Sequence, residues 1–370
     1  MNEHFFKTLK IENFRGIKSL EINDLARVNL FVGENNCGKT TVLESAFLLA
    51  GISDPGWMIW LTNNGRHLTI ADASDIKDFF YNREHEKGIN LSCAQVKGGR
   101  NLKISPFYGN LLAAQSNDAS STTSNGGIKH SIGFRNEGSA TGQYPIGFQY
   151  NFTVADSITG KKGEYQASTR WTEPGNLQFT PYLDGNYKEA MKYIYCWKAG
   201  YNHGFVDQML NEKQKDLLLR VLQSIDPKVQ DIKTGSRNLV SVDIGLDSFI
   251  PINLLGDGII RILNMLSAIN WTTGGALAID EIEDGLHVTA LEKVWRLILD
   301  HSHKSNAQVF LTTHSLDAVK SLRNALDNQL LPDAIACYRL VKFPDDVVRA
   351  YRYSGEQLGM ALDSDTDIRV

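Results

Sequence analysis

Residues 6–31 read as two stretches of alternating apolar and polar positions, FKTLKIENF and GIKSLEI, followed by the unbroken apolar run VNLFV. Alternation predicts strands with one buried face, and an unbroken run predicts a strand covered on both. A glycine-rich turn follows, then a helix over about 40–50 (TTVLESAFLLA), so the opening is strand, turn, helix. Between 54 and 90 the text is mixed: GWMIWL carries two tryptophans, and ASDIKDFFYN predicts a short amphipathic helix capped by Ser74 or Asp75. From 89 to 180 the period changes to short strands, INLSCAQV, LKISPFY, PIGFQYNFTVA, GEYQASTRWT and LQFTPY, broken by glycine turns, which predicts an antiparallel region. Within it, 109–142 is so rich in serine, threonine, asparagine and glycine that a mobile loop is expected.

Helical text resumes over 203–223 and stops at Asp226-Pro227. From 238 to 348 strands and helices alternate: LVSVDIG, GIIRILNMLSAINW, GALAID, VTALEKVWRLILDHS, QVFLTT, LDAVKSLRNAL, IACYRLVK. Such alternation predicts an α/β fold with a mostly parallel sheet and helices on its faces. The expected organisation is a split core, 1–60 and 238–350, interrupted by an antiparallel β lobe and helical insertion over 61–237, with a tail over 351–370.

Composition narrows the classes. With 42% hydrophobic and 22% charged residues, 31 glycines and 9 prolines in 370, the chain is globular, neither collagen-like nor a coiled coil. A net charge of −4 gives no global basic field for nucleic acid, so any DNA contact needs a local patch. Two are candidates: Lys97, Arg100 and Lys103, or Lys161 and Lys162. No run of about 18 apolar residues and no signal-peptide pattern are present, so a cytoplasmic protein without a membrane partner is expected. Four dispersed cysteines predict neither a disulfide framework nor a zinc knuckle. The close pair His301 and His303, in HSHKSN, reads as a solvated polar turn rather than a metal site.

Four segments carry chemistry. Gly33-Glu34-Asn35-Asn36-Cys37-Gly38-Lys39-Thr40 fits G-x-x-x-x-G-K-[ST], placed after a strand and at the start of a helix, as a P-loop requires. Backbone N–H groups of such a turn cradle phosphate, Lys39 reaches the β- and γ-phosphates, and the Thr40 hydroxyl binds Mg²⁺. The expected ATP-binding set is Gly33, Asn35, Asn36, Cys37, Gly38, Lys39, Thr40 and Thr41. The strand Ala276-Leu277-Ala278-Ile279 ends in Asp280-Glu281, an acid pair at a strand's C-terminal edge: Asp280 for the metal, Glu281 as general base toward the attacking water. A third strand ends in Thr312-Thr313-His314-Ser315, where His314 is placed to contact the γ-phosphate or hold the water. Gly256-Asp257-Gly258 opens a long apolar helix, an N-terminus able to bind an anion.

In this order the segments resemble those of the ABC-type ATPases of the RecF, SMC and OLD group, particularly the small bacterial AAA-family ATP-binding proteins. LKIENFRGIKSLEI looks like that group's opening strands, Gly33-Glu34-Asn35 like its G-x-N P-loop, LGDGIIRIL like its signature, IDEIEDGLH like its Walker B with D-loop, and LTTHS like its switch histidine. The resemblance covers roughly 6–60 and 238–345, plus the ending. It implies an ATP- and Mg²⁺-dependent sandwich of two copies, in which Gly256, Asp257 and Gly258 of one meet the γ-phosphate held by Lys39 of the other. Leu255 stands where the signature of transporters and SMC proteins has serine, and no Q-loop glutamine is assigned, Gln95 and Gln149 falling within strands.

The altered signature and the long unlike insertion argue against a transporter subunit, and no segment is long enough for SMC coiled-coil arms. OLD-type nucleases add a Toprim domain with acidic metal ligands. Here Asp363-Ser364-Asp365 and Asp365-Thr366-Asp367 read as surface, so a nuclease is not expected. The expectation is an ATPase that senses a trigger and regulates a separately encoded effector, as in phage-defence cassettes. The competing reading is a RecF-like repair protein clamping duplex DNA.

Overall fold

The computed structural model describes residues 5–51, 59, 73–108, 145–155, 162–173, 176–180, 193–196, 206, 209–211, 214–234, 240–327, 334–364 and 367–369. The hairpin β1 (Leu9–Phe14) and β2 (Ile17–Ile22) leads to β3 (Val28–Val32) and helix α1 (Lys39–Ala50). Strands β4 (Ile89–Ala94), β5 (Gly99–Tyr108), β6 (Pro145–Ala155), β7 (Lys162–Glu173) and β8 (Asn176–Thr180) follow, then β9 (Tyr193–Cys196), α2 (Lys215–Ile225), β10 (Asp231–Thr234), β11 (Val240–Asp243) and β12 (Ile250–Pro251). The last third holds α3 (Asp257–Trp271), β13 (Ala276–Ile279), α4 (Val288–Lys304), β14 (Gln308–Thr312), α5 (Leu316–Asp327), β15 (Ile335–Lys342), β16 (Val348–Ser354) and α6 (Gly355–Asp363).

The six-stranded sheet has the order β16-β15-β3-β14-β13-β9, parallel throughout except for β16 at one edge. Every residue of β3, β13 and β14 is buried, as expected of parallel strands covered on both faces. A seven-stranded antiparallel sheet, β2-β1-β4-β5-β6-β7-β8, faces it, and one core fills the space between, combining Leu9, Ile11, Leu91 and Ile104 with Phe31, Phe310 and Tyr338. Helix α1 lies in that core. All ten residues from Thr41 to Ala50 are buried, so the helix is covered around its circumference rather than along a stripe. The opposite face of the parallel sheet packs against α3, α4 and α5 through Ile262, Leu266, Trp295, Ile298, Val319 and Leu322.

Several expectations are corrected. LVSVDIG belongs not to the parallel sheet but to a small antiparallel one, β10-β11-β12, packed with α2 and the outer side of α3. The hairpin assigned to the core is an integral part of the antiparallel sheet, and β9, from within 61–237, is an edge strand of the parallel one, paired from Tyr193 with Ala276 to Cys196 with Ile279. Residues 73–79 form a 3₁₀ rather than an α-helix: a three-residue period stacks Ile76 over Phe79, and both are buried. His301 and His303 lie in the last turn of α4, with His301 buried and His303 Nδ1 2.5 Å from Arg27 Nη1. The loop over 109–142 and GWMIWL, apart from Ile59, lie outside the described residues. No helix among the described residues is long and apolar enough to cross a membrane.

Candidate nucleotide site

β3 delivers the chain to Gly33, whose φ of 142° begins the P-loop turn, and Gly38, at φ 100°, ends it at the start of α1. Glu34, Asn35 and Asn36 are exposed along the turn, while Cys37 tucks beneath it, its thiol pushed up in pKa by burial. Lys39 Nζ folds over the loop and donates to the carbonyls of Gly33 (2.9 Å) and Glu34 (2.8 Å). Thr41 is buried in the first turn of α1.

The preceding residue of that turn joins the second motif. Thr40 Oγ1 donates to the Asp280 carboxylate at 3.0 Å, across 240 positions of sequence. Thr312 Oγ1, at the end of β14, donates to the same carboxylate at 2.5 Å. Burial raises the pKa of Asp280, and these two hydroxyls oppose the rise. Hydroxyl and carboxylate oxygens are the hard donors that Mg²⁺ selects, so the pair Thr40 and Asp280 fits that ion.

Glu281 stands at φ 48°, an uncommon conformation for a residue with a Cβ, and its neighbours enforce it. Its N–H donates to Thr312 Oγ1 at 2.8 Å, and its carbonyl accepts from Arg261 Nη2 at 2.6 Å. Arg261 also donates to the Asp280 carbonyl at 2.8 Å. It comes from α3, one turn after Gly256, Asp257 and Gly258, so the signature helix and the acid pair are joined through one guanidinium. Gly256 sits at φ 101°, and a Cβ at Gly258 would lie 2.8 Å from the Gly285 carbonyl oxygen, which packs the signature against the D-loop.

His314 is brought to the same edge. Its Nδ1 lies 4.0 Å from Glu281 Oε1 and 3.2 Å from Glu283 Oε1. Glu283 grips the whole switch turn: its carboxylate accepts from Thr313 Oγ1 (2.7 Å), the His314 N–H (2.9 Å) and the Ser315 N–H (3.1 Å).

Thus one chain gathers the P-loop, Asp280, Glu281 and His314, and carries the signature glycines at the head of α3. Sequence reasoning assigned no role to Arg261, Glu283 or Thr312. Arg261 had a signal, the lone charge in GIIRILNML, and so had Glu283, the third acid in DEIED. One expectation fails here. Arg100 is no phosphate contact: it is buried and donates to the carbonyls of Leu49 (2.9 Å) and Ala50 (2.8 Å) at the end of α1. Of the tail's acidic residues read as surface, Asp363 is exposed, while Asp367 pairs with Arg369 beside the buried Ile368.

Known proteins are similar to parts of this chain or to most of its length. The family described as "AAA domain, putative AbiEii toxin, Type IV TA system" matches residues 162–319, and the "AAA ATPase domain" family matches 5–94. A Helicobacter pylori protein described as an ATP/GTP phosphatase is 20% identical over 98% of this chain and 99% of its own. The DNA replication and repair protein RecF of Oenococcus oeni is 25% identical over 50% of this chain and 49% of its own. A solved Smc head bound to the C-winged helix domain of ScpA aligns over 97% of this chain and 99% of that one, at 12% identity and a TM-score of 0.47.

Proposed function

We propose that this chain, an ABC-type AAA ATPase of the RecF and SMC kind, binds Mg²⁺-ATP at the P-loop and hydrolyses it to control the association of a separately encoded effector. The observation that carries the hydrolytic reading is the bond from Thr40 to Asp280, which brings the P-loop helix against the acid pair with Glu281 beside it. In this reading Gly33, Asn35, Asn36, Cys37, Gly38, Lys39, Thr40 and Thr41 surround the triphosphate, and Thr40 and Asp280 hold Mg²⁺. Held there, Mg²⁺ would supply positive charge against the triphosphate oxygens. Glu281 accepts a proton from the water attacking the γ-phosphorus, the bond to the bridging oxygen breaks, and ADP leaves with phosphate. His314, beside Glu281, orients that water or the γ-phosphate oxygens.

Gly256, Asp257 and Gly258 reach a γ-phosphate from a second copy, so ATP holds two chains together. The toxin–antitoxin description of the family matching 162–319 supports a role in defence against phage. The RecF relative supports the second reading, an ATP-dependent clamp on duplex DNA. Steady-state hydrolysis with Mg²⁺, with and without duplex DNA and with Lys39→Ala as the blank, separates them. Turnover above the blank and indifferent to DNA is expected; strong stimulation by DNA moves the assignment to the clamp. Glu281→Gln is expected to lower kcat by about 10²–10⁴-fold while keeping ATP affinity, and wild-type turnover in that variant overturns Glu281 as the base.

A further inference from the structure

The switch turn is held from two sides, and only one of them belongs to the nucleotide motifs. Glu283 takes the N–H groups of His314 and Ser315. The His314 carbonyl, facing the other way, accepts a hydrogen bond from Arg369 Nη1 at 2.8 Å, across 55 positions. Arg369 is itself fixed: Nε and Nη2 bond the Asp367 carboxylate at 2.8 and 2.6 Å, and its backbone N–H bonds Asp367 Oδ1 at 3.0 Å. Between the two, Ile368 is 1% exposed and packs in the core shared by α3, α4, α5 and α6. Asp317, on α5, attracts the guanidinium, and Lys320, one turn on, attracts Asp367. Residues 367–369 thus form a built contact: an apolar anchor, an oriented fork, and an Nη1 donor turned to the carbonyl of the switch histidine.

We propose that Arg369 is a positioning residue for ATP hydrolysis, fixing the peptide of His314 so that its imidazole stays beside Glu281. This rests on the hydrolytic reading above, and it makes docking of the tail a condition for full turnover. Among the described residues Arg369 bonds Asp367 and the switch turn and no residue of the P-loop, so nucleotide affinity is expected to be independent of it.

The test measures kcat and ATP affinity for the wild type, Arg369→Gln and Arg369→Lys, with Lys39→Ala as the blank, and follows hydrogen–deuterium exchange of the segment 311–318 without nucleotide. Arg369→Gln is expected to lose about tenfold in kcat, to keep ATP affinity within about twofold, and to exchange faster over 311–318. Arg369→Lys, which keeps a cationic donor, is expected to recover at least half of the lost turnover. Unchanged kcat and unchanged exchange in Arg369→Gln overturn the proposal. So does an equal loss in both variants accompanied by weaker ATP binding, which marks a general folding defect. Wild-type turnover no higher than that of Lys39→Ala overturns the hydrolytic reading instead, and the exchange measurement then decides whether Arg369 holds the switch turn.

Discussion

Gly33 is the residue the P-loop can least exchange. A Cβ there would lie 2.5 Å from the Leu340 carbonyl oxygen on β15 and 2.9 Å from Cys37 Sγ, at a φ that side chains rarely adopt. Gly33→Ala is expected to cost about 2–3 kcal/mol, from overpacking and backbone strain together. It should lower the melting temperature and abolish nucleotide binding, which calorimetry and a fluorescent nucleotide titration measure. His301 supplies a pH dependence. Burial lowers its pKa, with Lys304 and Arg220 acting in the same direction and Asp300 against it. The unfolded chain therefore binds a proton more readily, and the stability held above the unfolded value near 6.5 is lost as pH falls through it. Denaturant midpoints at pH 8.0 and 5.5 are expected to differ more for the wild type than for His301→Leu.

At this scale legibility follows contiguity. Gly33 to Thr40, Asp280 with Glu281, and His314 could be read because each motif is written in adjacent residues whose backbone path a strand end dictates. Arg261, Glu283 and Arg369 act on backbone carbonyls and N–H groups, which have no letter in a sequence. Their bonds to the acid pair and the switch turn span 19 to 55 positions, except that Glu283 sits beside the acids and carried a faint signal of its own.

Among the elements, α1 shows what the periodicity concealed. TTVLESAFLLA reads as a helix, yet two sheets cover it, so it has no solvent face to mark. Its one acidic residue, Glu44, is fully buried one turn after Thr40, with Arg15 Nε 2.8 Å from its Oε2. Arg15 lies in the β1–β2 turn, its guanidinium 4.7 Å from the centre of the Phe79 ring. The antiparallel sheet is thereby tied to the P-loop helix through a buried ion pair. Removing one member strands the other: Glu44→Gln is expected to cost about 3–5 kcal/mol. Arg15→Met with Glu44→Leu should cost less than the two single changes summed, and urea unfolding of the four proteins measures that coupling. The strands of the antiparallel sheet were legible from alternation. Their partnership with the opening hairpin was not, because pairing such as Lys10 with Ser92 is a long-range choice that no local pattern encodes.

For the whole molecule, the parallel sheet, flanked by α1 and the antiparallel sheet on one face and α3 to α5 on the other, presents the acid pair and the head of α3 together, Arg261 joining them. If a second copy completes the site, ATP and the slowed Glu281→Gln variant should accumulate the associated form. Sedimentation with ATP is expected to show a species of twice the mass for Glu281→Gln and monomer for Lys39→Ala; monomer in both overturns the paired assembly.

β9 gives the molecule a dependence its segment boundaries do not suggest. Four residues from the middle of the chain close the flank of the parallel sheet, pairing along the whole of β13, the strand that leads into Asp280. A shortened chain in which 61–237 is cut out and the ends rejoined would bare the amides and carbonyls of β13, an invitation to stick to any other naked strand. The stretch 61–237, expected as an insertion, is therefore expected to be replaceable only by one that brings its own short extended segment to hem that border.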